Sequence, residues 1–124
     1  MDFEINFIEG ILKRKPDFIE ALIALGDLYT KRGFFEKGLE VDLKLAQLRP
    51  DDPYILYNLA CSYSLVNNID AALQVIKRSV DFGYDHLEGI EQDHDLSNLH
   101  KDDRYQEFIS DLLKKKNPAP QDSV

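Results

Sequence analysis

Two prolines 34 residues apart share a context, Lys15-Pro16-Asp17 and Arg49-Pro50-Asp51. Shifted by that interval, much of the chain falls into register. Leu22 meets Leu56, Leu25-Gly26 meets Leu59-Ala60, Tyr29 meets Tyr63, Gly33 meets Asn67, Gly38 meets Ala72 and Leu39 meets Leu73. A period of this size constrains the fold strongly. One such unit cannot bury its own apolar face and must stack on a neighbour. Small residues recur as faithfully as large ones, as two packed helices require where their axes come closest.

The apolar spacing within each unit is helical. Leu22, Leu25, Leu28 and Tyr29 form one stripe, and Leu56, Leu59, Ala60 and Tyr63 form its copy. Neither stretch alternates with period two, which argues against strands. Asp17 is expected to cap a helix starting near Phe18. Asp52-Pro53 sets a capping acid before a proline at the first helical position. Turns are expected at Lys31-Arg32-Gly33 and Val66-Asn67-Asn68, because Gly and Asn tolerate the left-handed backbone of a helix end. Second helices then follow at about Phe35 to Leu48 and Ile69 to Phe82, with Gly83 as the next stop signal.

A 34-residue helix–turn–helix with these positions resembles the tetratricopeptide repeat family. Numbered from Ile19, its characteristic positions hold Leu22, Leu25, Gly26, Tyr29, Gly38 and Pro50. Numbered from Pro53 they hold Leu56, Leu59, Ala60, Tyr63, Ala72 and Tyr84. Three departures stand out. Tyr84 replaces the closing proline, so the chain is expected to leave the regular superhelix there. Asp42 occupies a usual aromatic position, and Leu45-Ala46 inverts the usual order. The resemblance implies an all-α solenoid of antiparallel helix pairs in a single domain. Residues 1–18 form a partial repeat whose stripe is Ile5, Ile8, Ile11 and Leu12. Residues 19–52 and 53–86 form two full repeats, and residues 87–116 a capping segment like the ending of many bacterial members. Its last helix, from about Asp102 to Lys115, turns Tyr105, Phe108, Ile109 and Leu112 inward. Its acids start the helix and its lysines end it, as the helix dipole favours. Residues 117–124 are expected to be a flexible tail.

Composition narrows the function. The net charge is −8, and the stretch from Asp81 to Asp111 supplies all of it, with ten acids against Lys101 and Arg104. Nucleic-acid binding is not expected, since it needs clustered Lys and Arg. The acidic stretch is either a solvated cap surface or a face that steers a basic partner. No apolar run approaches a membrane span. Acids at Asp2 and Glu4 speak against a secretion signal. Cys61, the single cysteine, excludes an internal disulfide framework and suits a reducing cytoplasm. No phosphate loop, His-Glu-x-x-His pair or nucleophile elbow is present, so no enzyme and no cofactor is expected. His86, His94 and His100 lack the tight spacing of zinc ligands, and no metal is assigned.

The candidate functional residues lie on the first helix of each repeat. By resemblance, this helix lines a concave groove that takes an extended peptide or partner helix. In the first repeat these residues are Glu20, Ile23, Asp27, Thr30 and Lys31. In the second they are Tyr54, Tyr57, Asn58, Cys61, Ser64 and Leu65. Ile23 and the tyrosines offer apolar area at low entropy cost. Alternatively, Tyr54 and Tyr57 pack beneath the segment Asp85 to Leu96, folded back over the groove. Some relatives grip chaperone tails with a clamp of Lys, Asn and Arg. Asn58 matches one clamp position, but Ile23, Asp27, Glu88 and Gln92 stand where others are required, so no such clamp is expected. The leading expectation is a non-catalytic protein-interaction module. The runner-up is a self-assembling subunit, a homodimer through an apolar edge at Phe3 and Phe7.

Overall fold

The computed structural model of the chain describes residues 2–116, and the expected tail at 117–124 lies outside them. Five regular helices come first: α1 (Phe3–Arg14), α2 (Ile19–Lys31), α3 (Phe35–Leu48), α4 (Pro53–Leu65) and α5 (Ile69–Asp81). A terminal segment follows. It comprises α6 (Leu87–Gln92), a 3-10 turn (His94–Leu96), α7 (Ser97–His100) and α8 (Asp103–Lys116). Each of the first five helices packs on the next, α1 on α2 through α4 on α5. The fold is an all-α array of helix–turn–helix units, with no strand among the described residues.

The repeated residues form repeated geometry. Gly33 (φ +84°) and Asn67 (φ +63°) are left-handed at matching turns. At each turn the next amide closes the helix end: Phe34 N–H donates to the Tyr29 carbonyl and Asn68 N–H to that of Tyr63, both at 2.8 Å. The small residues mark the closest approach of paired helices. A Cβ on Gly26 would stand 3.0 Å from Asp42 Oδ1, and one on Gly38 would stand 3.0 Å from Thr30 Oγ1. Their copies Ala60 and Ala72 are fully buried.

Helix starts differ between the repeats. Asp52 caps α4, accepting from Tyr54 N–H at 2.9 Å and Ile55 N–H at 3.2 Å. Asp17 does not cap α2. The cap position is Phe18, with no side-chain acceptor, and Asp17 instead pairs with Lys44 at 3.4 Å. The reason is register: Asp17 aligns with Asp51, one residue too early for its carboxylate to reach the first turn.

Three apolar clusters hold the array together. Ile5, Leu25 and Tyr29 join α1 to α2, supported by Ile8 and Leu12. Ile11, expected in the same stripe, instead lines an outer depression with Phe7 and Phe18. Leu22, Leu45 and Ile55 join the first repeat to α4. The largest cluster runs from Leu56, Ala72 and Ile76 into the terminal segment at Ile90, Leu96, Leu99, Tyr105 and Ile109. The last third is thus part of the main core. Polar contacts fix its register. Ser64 Oγ accepts from Leu99 N–H at 3.2 Å, and the Ser64 carbonyl accepts from Asn98 Nδ2 at 2.9 Å. Tyr105 donates its hydroxyl to Glu91 at 2.7 Å, and Arg104 bridges Asp70 and Asp102.

Candidate functional site

At the closing-proline position of the second repeat, Tyr84 lies flat on Tyr57, with ring centroids 4.3 Å apart and planes 7° from parallel. Tyr54 meets the edge of the same ring at 5.6 Å. The expected departure from the superhelix therefore turns the chain inward. The 3-10 turn that follows packs on α4 and brings Asp93 over the groove. Asp93 Oδ2 accepts from the Tyr57 hydroxyl at 2.5 Å and from the Cys61 thiol at 3.8 Å, while Oδ1 accepts from Asp95 N–H at 3.0 Å. Of the two alternatives, the structure has Tyr57 packed under the terminal segment, while Tyr54 touches only Tyr84 and His86 at its edge and remains 57% exposed.

What remains open is a cavity of about 310 Å³ between the repeats and that segment. Glu20, Ile23, Asp27, Asn58 and Cys61, all singled out from the sequence, line it together with Thr30. Lys31 stands outside the lining, tied to Asp27 at 2.8 Å with both side chains largely exposed. Leu65 lies apart, in a depression with Gly33 and Phe34. Ser64 is fully buried and holds the terminal segment. The sequence-predicted groove is therefore shortened to its middle, where the two first helices face each other.

Three residues of this cavity were not legible as site residues. Asp42 is 5% exposed and accepts a short hydrogen bond from the Ser62 hydroxyl. The signal is an acid at an inward position of a second helix with a serine 20 residues on, in the next first helix. Asp93 and Asp95 were assigned to the cap. The charge count places the acidity in the terminal stretch and says little about the groove, yet the fold carries two of those carboxylates to the cavity wall.

The electrostatics follow from this crowding. Burial pushes the Asp42 carboxyl up to about 6, against the pull of the Ser62 hydrogen bond and with a push from Asp27. Asp95 is raised as well, by burial first and then by Asp93 and Asp27. The Cys61 thiol lies well above its usual value, because it is buried and faces carboxylates. A thiol held protonated in this way is no nucleophile. Among the described residues no three His, Cys, Asp or Glu side chains converge in a metal-holding group. None of the described helices is long and apolar enough to cross a membrane.

No protein-family model matches the chain. Over 92 residues, 72% of its length, it is 29% identical to a chloroplastic protein of Arabidopsis thaliana, and it spans about a quarter (26%) of that relative. Among solved structures it resembles MamA 41-end from Desulfovibrio magneticus RS-1, with a TM-score of 0.66 and 16% identity. That match covers 96% of this chain and 67% of the MamA chain. The ArsTM double mutant of MamA RS-1 aligns with the same TM-score at 14% identity, covering 93% and 67%. The fold is thus the helical-repeat fold of MamA, of tetratricopeptide type.

Proposed function

We propose that the chain is a non-catalytic protein-interaction module whose concave groove receives a peptide or partner segment. The observation that carries this reading is the convergence of Glu20, Ile23, Asp27, Asn58 and Cys61 on one open cavity. They come from the two first helices, and the paired helices behind hold them rigidly. The wall is mostly polar, with Ile23 and Ala24 as its apolar part, and so offers a partner segment both hydrogen-bonding groups and a patch of apolar contact. The helical-repeat fold supports a scaffold role in kind, and it leaves the ligand to the groove residues. The single buried thiol suits work in a reducing compartment such as the cytoplasm.

The test is selection of binders from a random peptide library displayed on phage, repeated with Ile23→Arg and Asn58→Arg. Both sites are exposed, so neither change disturbs the core. Binders lost with either variant support the groove. Binders indifferent to both overturn it.

A second reading is favoured by one observation. Phe3 is 81% and Phe7 61% exposed on the same helix, next to an apolar depression. Such an edge invites a second copy. Phe3→Asp with Phe7→Asp then abolishes assembly and leaves peptide binding unchanged. A monomer at all micromolar concentrations by sedimentation removes this reading.

A further inference from the structure

Among the described residues, the outer face of α1 lacks the helix that covers its counterpart in the first repeat. There, α3 lays Val41 and Leu45 against α2, and a Cβ on Gly26 would stand 3.4 Å from Val41 Cγ1. Thirty-four residues earlier, the same positions of α1 hold Phe7 and Ile11. Phe7 is 61% exposed, and with Gly10, Ile11, Arg14 and Phe18 it borders an open depression of about 620 Å³. Phe3, Phe7, Gly10 and Arg14 follow one another at intervals of four, three and four residues, so they form one seam along the helix. Gly10 stands within that seam with nothing inside 4 Å of an added Cβ, a notch in the position where a second helix would cross.

We propose that this seat takes α1 of a second copy of the chain, running antiparallel, with each Phe7 entering the notch at Gly10 of the other copy. The proposal rests on the self-assembly reading above and adds the geometry of the pair. It continues an interface the repeats already use, since Gly10 then meets Phe7 of the other copy as Gly26 meets Val41. Charge chooses the direction. The start of α1 carries Asp2 and Glu4, and its last turn carries Lys13 and Arg14. Antiparallel pairing sets the acids of each copy against the bases of the other, whereas parallel pairing sets like against like. The groups are available for this. Arg14 makes no ion pair among the described residues, and Glu4 touches Arg32 through one oxygen only, at 3.3 Å, while Asp2 holds Arg32 at 2.7 Å. Glu4 and the 81% exposed Phe3 of one copy therefore face Arg14 of the other. Such a two-fold pair closes on itself. Two helices of 12 residues make a small interface, so the dimer is expected to be weak and to dissociate within the micromolar range.

The test is sedimentation equilibrium of the whole chain across the micromolar range, with melts by circular dichroism on every variant. Arg14→Glu and Glu4→Arg are each expected to weaken association by about fivefold or more at low salt, and by less at high salt. The double variant Glu4→Arg with Arg14→Glu is expected to restore it, because both ion pairs are then reversed. Gly10→Leu is expected to weaken association by about tenfold and to melt no lower than the parent, since its side chain fills the notch and meets nothing within its own chain. A double variant no tighter than the single ones overturns the antiparallel direction. Association lost with Phe3→Asp and Phe7→Asp but indifferent to Arg14→Glu and Gly10→Leu overturns the pair and leaves the edge reading standing. A monomer throughout, or a dimer indifferent to the two phenylalanines, overturns both. A displayed peptide that shifts the Phe7, Gly10 and Ile11 amides of a chain that stays monomeric overturns the second copy in favour of a foreign helix.

Discussion

Asp42 is where the pattern of the repeat and the chemistry of the site diverge. An aromatic at this inward position would extend the core, whereas an acid there needs Ser62 and an opening to solvent. Its charge carries a stability cost with a definite pH window. The folded carboxyl lies near 6 and the unfolded one near 3.8, so the folded state holds the extra proton between those values. Stability is therefore expected to fall as pH rises from about 4 to about 6, by roughly 3 kcal/mol, and to level off above. Asp95 contributes in the same direction. Melting temperatures followed by circular dichroism should show a markedly shallower decline for Asp42→Asn, and parallel curves would contradict this. Cys61 yields a second expectation. Buried beneath Asp93, its thiol should react with iodoacetamide at least about tenfold slower than in the denatured chain. Asp93→Ala should speed that reaction, and an unchanged rate would mean that Asp93 does not cover it. The sequence marked Cys61 as packed or lining. It held no sign of Asp93, because the two are 32 residues apart and meet only through the turn at Tyr84.

The helices were legible because their signals are local. The stripes of α2 and α4, the Asp52-Pro53 start and the turns at Gly33 and Asn67 each need only a few neighbouring residues, and they appear where the spacing puts them, whereas Ile11 falls outside the α1 stripe. The start of α2 was misread because Asp17 carries the right chemistry one position too early. Turn geometry gives a direct check. Gly33 is left-handed, so Gly33→Ala should cost about 1–2 kcal/mol, whereas Asn67→Gly at the matching turn should be nearly neutral. Gly10 is the opposite case. It lies inside α1 with nothing within 4 Å of an added Cβ, so Gly10→Ala should stabilise by about 1 kcal/mol. Urea unfolding of the three variants measures all of these. A destabilised Gly10→Ala would mean that α1 packs more closely than this structure has it.

The described array is five regular helices and a terminal segment held by three apolar clusters. The sequence offered the folding-back of Asp85 to Leu96 as one of two options. It had no means of choosing between them, since the choice depends on Tyr84 stacking on Tyr57 and on Ser64 receiving Leu99 and Asn98. Those contacts close part of the groove and leave one acidic cavity at its centre. Nor did the charge count indicate where the acids point, because it follows chain order while the cavity is built from four separate stretches. If the groove is the binding site, partners enter at this cavity and not at the exposed edge of α1. The measurement is an amide shift map of the 15N-labelled chain titrated with a selected peptide. The predicted result is a set of shifts centred on Ala24, Asp27, Thr30, Asn58 and Asp95, with α1 undisturbed. Shifts centred on Phe3, Phe7 and Gly10 instead, with the cavity residues unmoved, would contradict it.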